Sequence, residues 1–459
     1  MSKHYTFKGL LTENGWLENV TVSVTSTGEI SDISTDSETP SEYVDGYALP
    51  GFQNAHSHAF QYAMAGLAEL HEDTGDTDDF WSWRTAMYNL ALRISPQHLE
   101  DIATMLYAEM VRHGYTQVAE FHYLHHDLNG NRYANLAELG ERLISAAKTA
   151  GIHITLIPMF YQKGGFNMPA EDKQRRFISK TIDEYYELLE STEQVAKHYN
   201  HVNVAIGIHS LRAVDSYSCI ELCTNLKGDK PFHIHVSEQK KEIADCIEMY
   251  GVRPVQWLLD NCNVNDNFHL VHATHLDKFE LKGITKQNAN VVICPSTEGN
   301  LGDGLFRFND FKKLNGNWSI GTDSHVGINP FEELRILDYG QRLHTHKRNT
   351  FYKTNMGDSG FNAIKMAWQT GRKAMGKQNE IFFKIGEPFD AVIMDAKSPL
   401  VATTSTKHLC NTFVYSSDVS HQLGTIINGQ WKAKNGQHLE REKITSNFVK
   451  TMKDLGSRF

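Results

Sequence analysis

Two histidines two residues apart, in Asn54-Ala-His56-Ser-His58, are the first residues whose type and spacing suggest chemistry. At a strand end, positions i and i+2 face the same side, so both imidazoles can reach one ion. The pair alone is weak, because core histidines share that spacing. Three later segments add weight: His235 in HIHVSEQ with Glu238 three residues on, His272 in LVHATH, and Asp323 in SIGTDSH. Imidazoles and a carboxylate are the donors that zinc takes at catalytic sites, where it also keeps a position for water. The expected shell is His56, His58, His235 and Asp323. His272 is either a further ligand or a hydrogen-bond partner of the water or of a tetrahedral intermediate. The segment IGIHS contains no lysine that could be carbamylated to bridge two ions, so one divalent ion is expected, with Zn2+ the leading choice.

Residues so far apart in sequence converge only on a suitable scaffold. Eight β-rich segments, at 48–56, 115–123, 152–160, 201–210, 231–238, 267–275, 289–296 and 317–325, alternate with helical ones. That alternation predicts βα units and an α/β fold, a (β/α)8 TIM-like barrel whose functional residues gather at the carboxyl ends of its strands. Helices are expected over 95–114, 135–151, 172–199 and 237–251, the first opened by Ser95-Pro96 and closed by Gly114. Residues 4–48 and the region from about 386 onward read as short strands broken by Asn-Gly and Thr-Gly turns. Each is too small for its own core, so the two are expected to form one small composite β-sandwich. The predicted organisation is 1–47 and 376–459 in that sandwich, with 48–375 as the barrel.

Composition narrows the function classes. The 45 Lys+Arg against 55 Asp+Glu give −10, with no basic stripe, which argues against a nucleic-acid binder. No window approaches the length of a membrane span, and MSKHYTFKG lacks the apolar run of a signal peptide. The six cysteines include no Cys-x-x-Cys pair and fit a reducing, cytoplasmic setting, with Cys219 and Cys223 read as buried helix residues. The expected partner is a small molecule. STEGNLGDGLFRF is glycine-rich but lacks the Gly-Lys-Ser/Thr of a phosphate loop. FWSWRTAMYNL, with Trp81, Trp83, Arg84 and Tyr88, reads as a substrate cover, a subunit contact or ordinary packing.

The His-x-His pair, His-x-x-Glu, the strand-six histidine and Thr-Asp-Ser-His resemble the mononuclear deaminase branch of the amidohydrolase superfamily. GFQNAHSHAFQYAMAGLAE, FWSWRTAMY, VAEFHYLHHD, HSLRAV, HVSEQKKEI, HATH and STEGNLGDGLF narrow the likeness to bacterial formimidoylglutamate deiminases, over essentially the whole chain. IGIHSLRAV departs from the Ala-Pro that commonly precedes HSLRAV there, but His209 and Arg212 remain. The resemblance implies a cytoplasmic zinc homodimer of histidine degradation that converts N-formimidoyl-L-glutamate to N-formyl-L-glutamate and ammonia. It implies Asp323 and His272 orienting or deprotonating a water, Glu238 transferring a proton to the departing nitrogen, and His272 stabilising the intermediate. Arg212 is the expected carboxylate clamp, because a guanidinium offers a rigid bidentate fork. Gln61, Tyr123 and His209 are further pocket residues. The competing readings are another mononuclear deaminase, acting on a guanidino acid or a heterocyclic base, and a non-catalytic metal-stabilised binding protein.

Overall fold

Residues 2–67, 69, 80–225, 230–354 and 358–456 are described by a computed structural model, with backbone alone for 80–82. The N-terminal strands are β1 (Lys3–Thr12), β2 (Gly15–Val24), β3 (Ile30–Ser34) and β4 (Glu42–Pro50). The central strands are β5 (Phe52–Ser57), β6 (Tyr115–His122), β7 (His153–Phe160), β8 (Val202–Val204), β9 (Ile206–Ser210), β10 (Phe232–Val236), β11 (Phe268–His272), β12 (Asn290–Ile293) and β13 (Asn317–Ile320). The C-terminal ones are β14 (Ala391–Asp395), β15 (Gln422–Ile427), β16 (Gln430–Lys434) and β17 (Gln437–His438).

Every central pairing is parallel, in the order β13-β12-β11-β10-β9-β7-β6-β5 with β8 beside β7. The ring nearly closes where Ser57 bridges Asp323. These strands are buried on both faces, as at β6, β10 and β11, which is why they read as continuous apolar runs rather than alternating ones. The helix Pro96–Arg112 starts as expected, with Ser95 accepting from the His98 N–H and Pro96 in the first turn.

The two chain ends build a separate eight-stranded mixed sheet, β17-β16-β15-β14-β4-β1-β2-β3, resembling a small β-sandwich. β4 pairs antiparallel with β14, joining the N-terminal strands to the C-terminal ones. Tyr5, Phe7 and Phe389 pack there, and the Tyr5 hydroxyl donates to the Gly429 carbonyl.

Several local expectations differ from the structure: the helix expected over 172–199 begins only at Ile182, after the short turn Asp172–Gln174, and the strand expected over 201–210 is split into β8 and β9. The segment 48–56 divides at Gly51: Ala48–Pro50 belongs to the terminal sheet, and the barrel strand starts at Phe52. A Cβ at Gly51 would lie 2.1 Å from Thr116 Cγ2, so only glycine lets the chain cross from one sheet to the other there. The stretch TFVYSS has a strand-like composition but lies in the helix Leu409–Ser416, burying Leu409, Cys410, Phe413 and Val414 on one helical face. Cys223, read as a buried helix residue in a reducing setting, is joined to Cys262 by a disulfide, while Cys219 stays a buried thiol. Among the described residues, no helix is long and apolar enough to cross a membrane.

Candidate active site

His56 is in β5, and His58 immediately follows that strand. His235 lies in β10, with Glu238 just beyond it; His272 ends β11, and Asp323 follows β13. Four residues at these strand ends, Ser237, His272, Ala273 and Asp323, take positive φ angles of 53°, 66°, 49° and 48°. Such φ values are uncommon for residues with a Cβ and persist where the surroundings enforce them. Backbone contacts do so here: the N–H groups of Thr322 and Asp323 donate to the His56 carbonyl at 3.1 and 3.0 Å, and Asn54 holds Thr322 through both its N–H and its hydroxyl. A Cβ at Gly321 would lie 2.7 Å from the His56 Cβ, so β5 and β13 approach this closely only because residue 321 has no side chain.

The donors converge. Asp323 Oδ1 lies 3.3 Å from His56 Nε2 and 3.1 Å from His58 Nε2, and the Nε2 atoms of His56 and His235 are 3.0 Å apart. One ligand atom from each of His56, His235, His272 and Asp323 falls within 4.8 Å of the others. His58 Nδ1 bonds the Phe121 carbonyl at 2.9 Å and His235 Nδ1 the His209 carbonyl at 3.1 Å, which commits the ring protons outward and leaves both Nε2 lone pairs facing in. Burial and the neighbouring imidazoles push His56 down to about 3 and lower His235, while Asp323 stays ionised: burial opposes its charge, but the bonds from His56 and His58 outweigh it. Converging lone pairs and a carboxylate, buried together, require a cation. This chemistry fits one divalent ion in a mononuclear site, and Zn2+ suits the donor set.

His272 differs from the other histidines. Burial opposes its charge, yet Glu238, Glu298 and Asp323 raise it to about 10, with Nε2 3.7 Å from Glu238 Oε1 and 3.9 Å from Asp323 Oδ2, and Nδ1 3.4 Å from Glu298 Oε1. Glu238 is held by a residue that the motif does not expose. Glu242, one turn into the following helix Lys240–Tyr250, accepts the backbone N–H of Ser237 at 3.1 Å and that of Glu238 at 3.2 Å. It also pairs with Arg212 Nη1 at 3.5 Å.

One cavity is lined by the expected Gln61, Tyr123, His209 and Arg212 together with His58, His235, Glu238, His272 and Asp323. Gln61 Nε2 donates to the Tyr123 hydroxyl at 2.8 Å, while Gln61 Oε1 is buried with no hydrogen-bond partner among the described residues. Arg212 is 7% exposed, and among the described residues its Nε and Nη1 have no hydrogen-bond acceptor. Burial, followed by the Arg212 and Arg84 guanidiniums, holds His209 neutral. Arg84 was singled out only as part of an aromatic stretch; with Trp83 and Tyr88 of the helix Phe80–Ala91, and with Tyr161, it also lines the cavity. The side chain of Trp81 lies outside the described residues.

The chain belongs to the amidohydrolase family, whose model matches residues 47–432. It is 39% identical over 457 residues to a formimidoylglutamate deiminase of Pseudomonas aeruginosa, covering 99% of this chain and 100% of that protein. It is 23% identical to a 5-methylthioadenosine/S-adenosylhomocysteine deaminase of Thermodesulfovibrio yellowstonii, over 93% and 90% of the two chains. The crystal structure of an amidohydrolase from Brucella melitensis superposes with a TM-score of 0.92 at 37% identity over 99% of both chains. A zinc-bound adenosine deaminase from Xanthomonas campestris shares the fold, with a TM-score of 0.81 at 20% identity, over 99% of this chain and 98% of that one.

Proposed function

We propose that the chain hydrolyses N-formimidoyl-L-glutamate to N-formyl-L-glutamate and ammonia. The observation that carries this reading is Arg212: a buried guanidinium with unspent donors, in the same cavity as the metal cluster. Its ion pair with Glu242, at 3.5 Å, leaves guanidinium donors without a hydrogen bond in the protein interior, and a substrate carboxylate is the ligand that relieves that cost. Arg84, which lines the same cavity, supplies a second cation, matching a substrate with two carboxylates. A purine offers neither.

His56, His58, His235 and Asp323 would hold the ion, with His272 inside or just outside that shell. When bound, the ion supplies Lewis acidity and makes hydroxide available near neutral pH. Asp323 takes up a proton of the attacking water, which His272 helps to orient toward the formimidoyl carbon. Addition gives a tetrahedral carbon bearing oxygen and two nitrogens, and the His272 N–H stabilises it. Glu238, whose backbone is pinned by Glu242, delivers a proton to the terminal nitrogen. The hydroxyl on that carbon gives its proton to the Glu238 carboxylate so formed, the bond from carbon to the terminal nitrogen breaks, ammonia leaves, and the formyl group stays on glutamate. Arg212, Gln61, Tyr123 and His209 position the glutamate portion. By the same likeness the enzyme works as a cytoplasmic homodimer.

A substrate panel tests the selectivity. The kcat/KM for formimidoylglutamate is expected to exceed that for adenosine-type bases by at least ~100-fold, the scale of losing one or two charge-assisted hydrogen bonds. Preference for a heterocyclic base would contradict the reading.

A further inference from the structure

One part of the cavity wall contains a hydrogen-bond circuit that the reaction steps above leave unused. Gln174 ends the short turn Asp172–Gln174 in the loop after β7 and is fully buried. Its Oε1 accepts the Glu171 backbone N–H at 2.8 Å. Its Nε2 donates to the Tyr161 hydroxyl at 2.8 Å and to the Tyr88 hydroxyl at 3.1 Å. Arg84 donates to the same Tyr161 oxygen at 3.3 Å and lies 5.1 Å from the centre of the Tyr88 ring. Two residues on, buried Arg176 donates to the carbonyls of Ala91 and Ile94, holding the end of the helix that carries Arg84 and Tyr88.

Counting hydrogens gives this circuit a direction. A phenol oxygen has one hydrogen and two acceptor lone pairs. Tyr161 spends its acceptor capacity on Gln174 and Arg84, so its own hydrogen is left to donate. Tyr88 accepts from Gln174, and its contact with the Tyr161 oxygen is long, at 3.5 Å. The amide cannot be reversed, because its NH2 would then face the Glu171 N–H. Tyr161, with both lone pairs taken, can only donate; Tyr88 keeps its hydrogen to donate, and both tyrosines line the cavity.

We infer that Gln174 fixes the polarity of the Tyr161 and Tyr88 hydroxyls, so that they and Arg84 form an all-donor subsite for one substrate carboxylate while Arg212 takes the other. Gln174 is thus a positioning residue that acts through the tyrosines. The inference rests on the deiminase reading and deepens it: the substrate class is a formimidoyl dicarboxylate. Ionised carboxylates only accept hydrogen bonds, so reversing the hydroxyls would present lone pairs to lone pairs.

Gln174→Glu is the near-isosteric test. The new carboxylate keeps the Glu171 bond but accepts from both phenols, turning their lone pairs toward the cavity. The KM for formimidoylglutamate should rise about 10–100-fold, the range of one or two charge-assisted hydrogen bonds, with kcat within about threefold of wild type. Competition by formimidoyl-γ-aminobutyrate and by formimidoyl-L-α-aminobutyrate, each lacking one carboxylate, resolves the origin of the effect. One Ki should shift with the variant and the other should not. An unchanged KM, a matching fall in kcat, or equal shifts of both Ki values would overturn the inference. If Gln174→Glu does not fold, Tyr161→Phe decides: it should raise KM with kcat retained, and an unchanged KM overturns the proposal. Wild-type turnover of formimidoylglutamate is measured alongside, so failure of the deiminase reading appears there and not in the variants.

Discussion

At the scale of single residues, environment separates groups of the same type. His58 and His235 have their Nδ1 protons tied to backbone carbonyls, which makes them lone-pair donors, whereas His272 is surrounded by Glu238, Glu298 and Asp323 and is held protonated. Glu238 is assigned the proton transfer to the departing nitrogen. Glu238→Gln should lower kcat by about 10²–10⁴-fold, the usual contribution of general acid–base catalysis, while metal content stays at the wild-type level. Steady-state kinetics with metal analysis of the same sample checks both halves, and unchanged turnover would remove Glu238 from the reaction. Every residue expected at the site reaches one cavity or its metal cluster, because each lies at or just past the end of a β-rich segment, a position visible in sequence. Glu242, Glu298 and Arg84 escape that logic. Glu242 and Glu298 act on backbone or on another side chain from within helices, and Arg84 comes from a helix that is not at a strand end.

At the scale of elements, the site depends on how closely β5 and β13 meet. Gly321 faces the His56 backbone, and Gly321→Ala would force a methyl group against the His56 Cβ. Overpacking of this kind costs about 1–3 kcal/mol. The variant should melt at lower temperature and also bind metal more weakly, because the strain falls on a ligand-bearing strand. A lowered melting temperature with unchanged metal affinity would show that the strain does not reach the ligands. The strands themselves were legible, since apolar runs bounded by polar helices mark parallel barrel strands. The break at Gly51 was not, because Ala48–Pro50 and Phe52–Ser57 are equally buried and differ only in the sheet they join. The helix Leu409–Ser416 was hidden by a strand-like composition, and the Cys223–Cys262 pair by a separation of 39 residues that no spacing rule connects.

At the scale of the whole molecule, a chain of net charge −10 is read as binding a substrate with two carboxylates, and the local field rather than the average makes that workable. On the proposed reading, Arg212, Arg84 and a bound ion would set the sign inside the cavity. The ion also ties folding to function, since its ligands come from the start, middle and end of the barrel. Removing it with a chelator should abolish turnover and lower the melting temperature, and one equivalent of Zn2+ per chain should restore both. Saturation at about 100 times the dissociation constant is worth about 2.7 kcal/mol of stability. Full activity in metal-free protein would contradict the site. The most direct test is the identity of the products. Incubated with N-formimidoyl-L-glutamate, the enzyme should release ammonia and N-formyl-L-glutamate in equal amounts, resolved by mass spectrometry. Formamide with free glutamate would place the cleavage on the other side of the formimidoyl carbon and contradict the account.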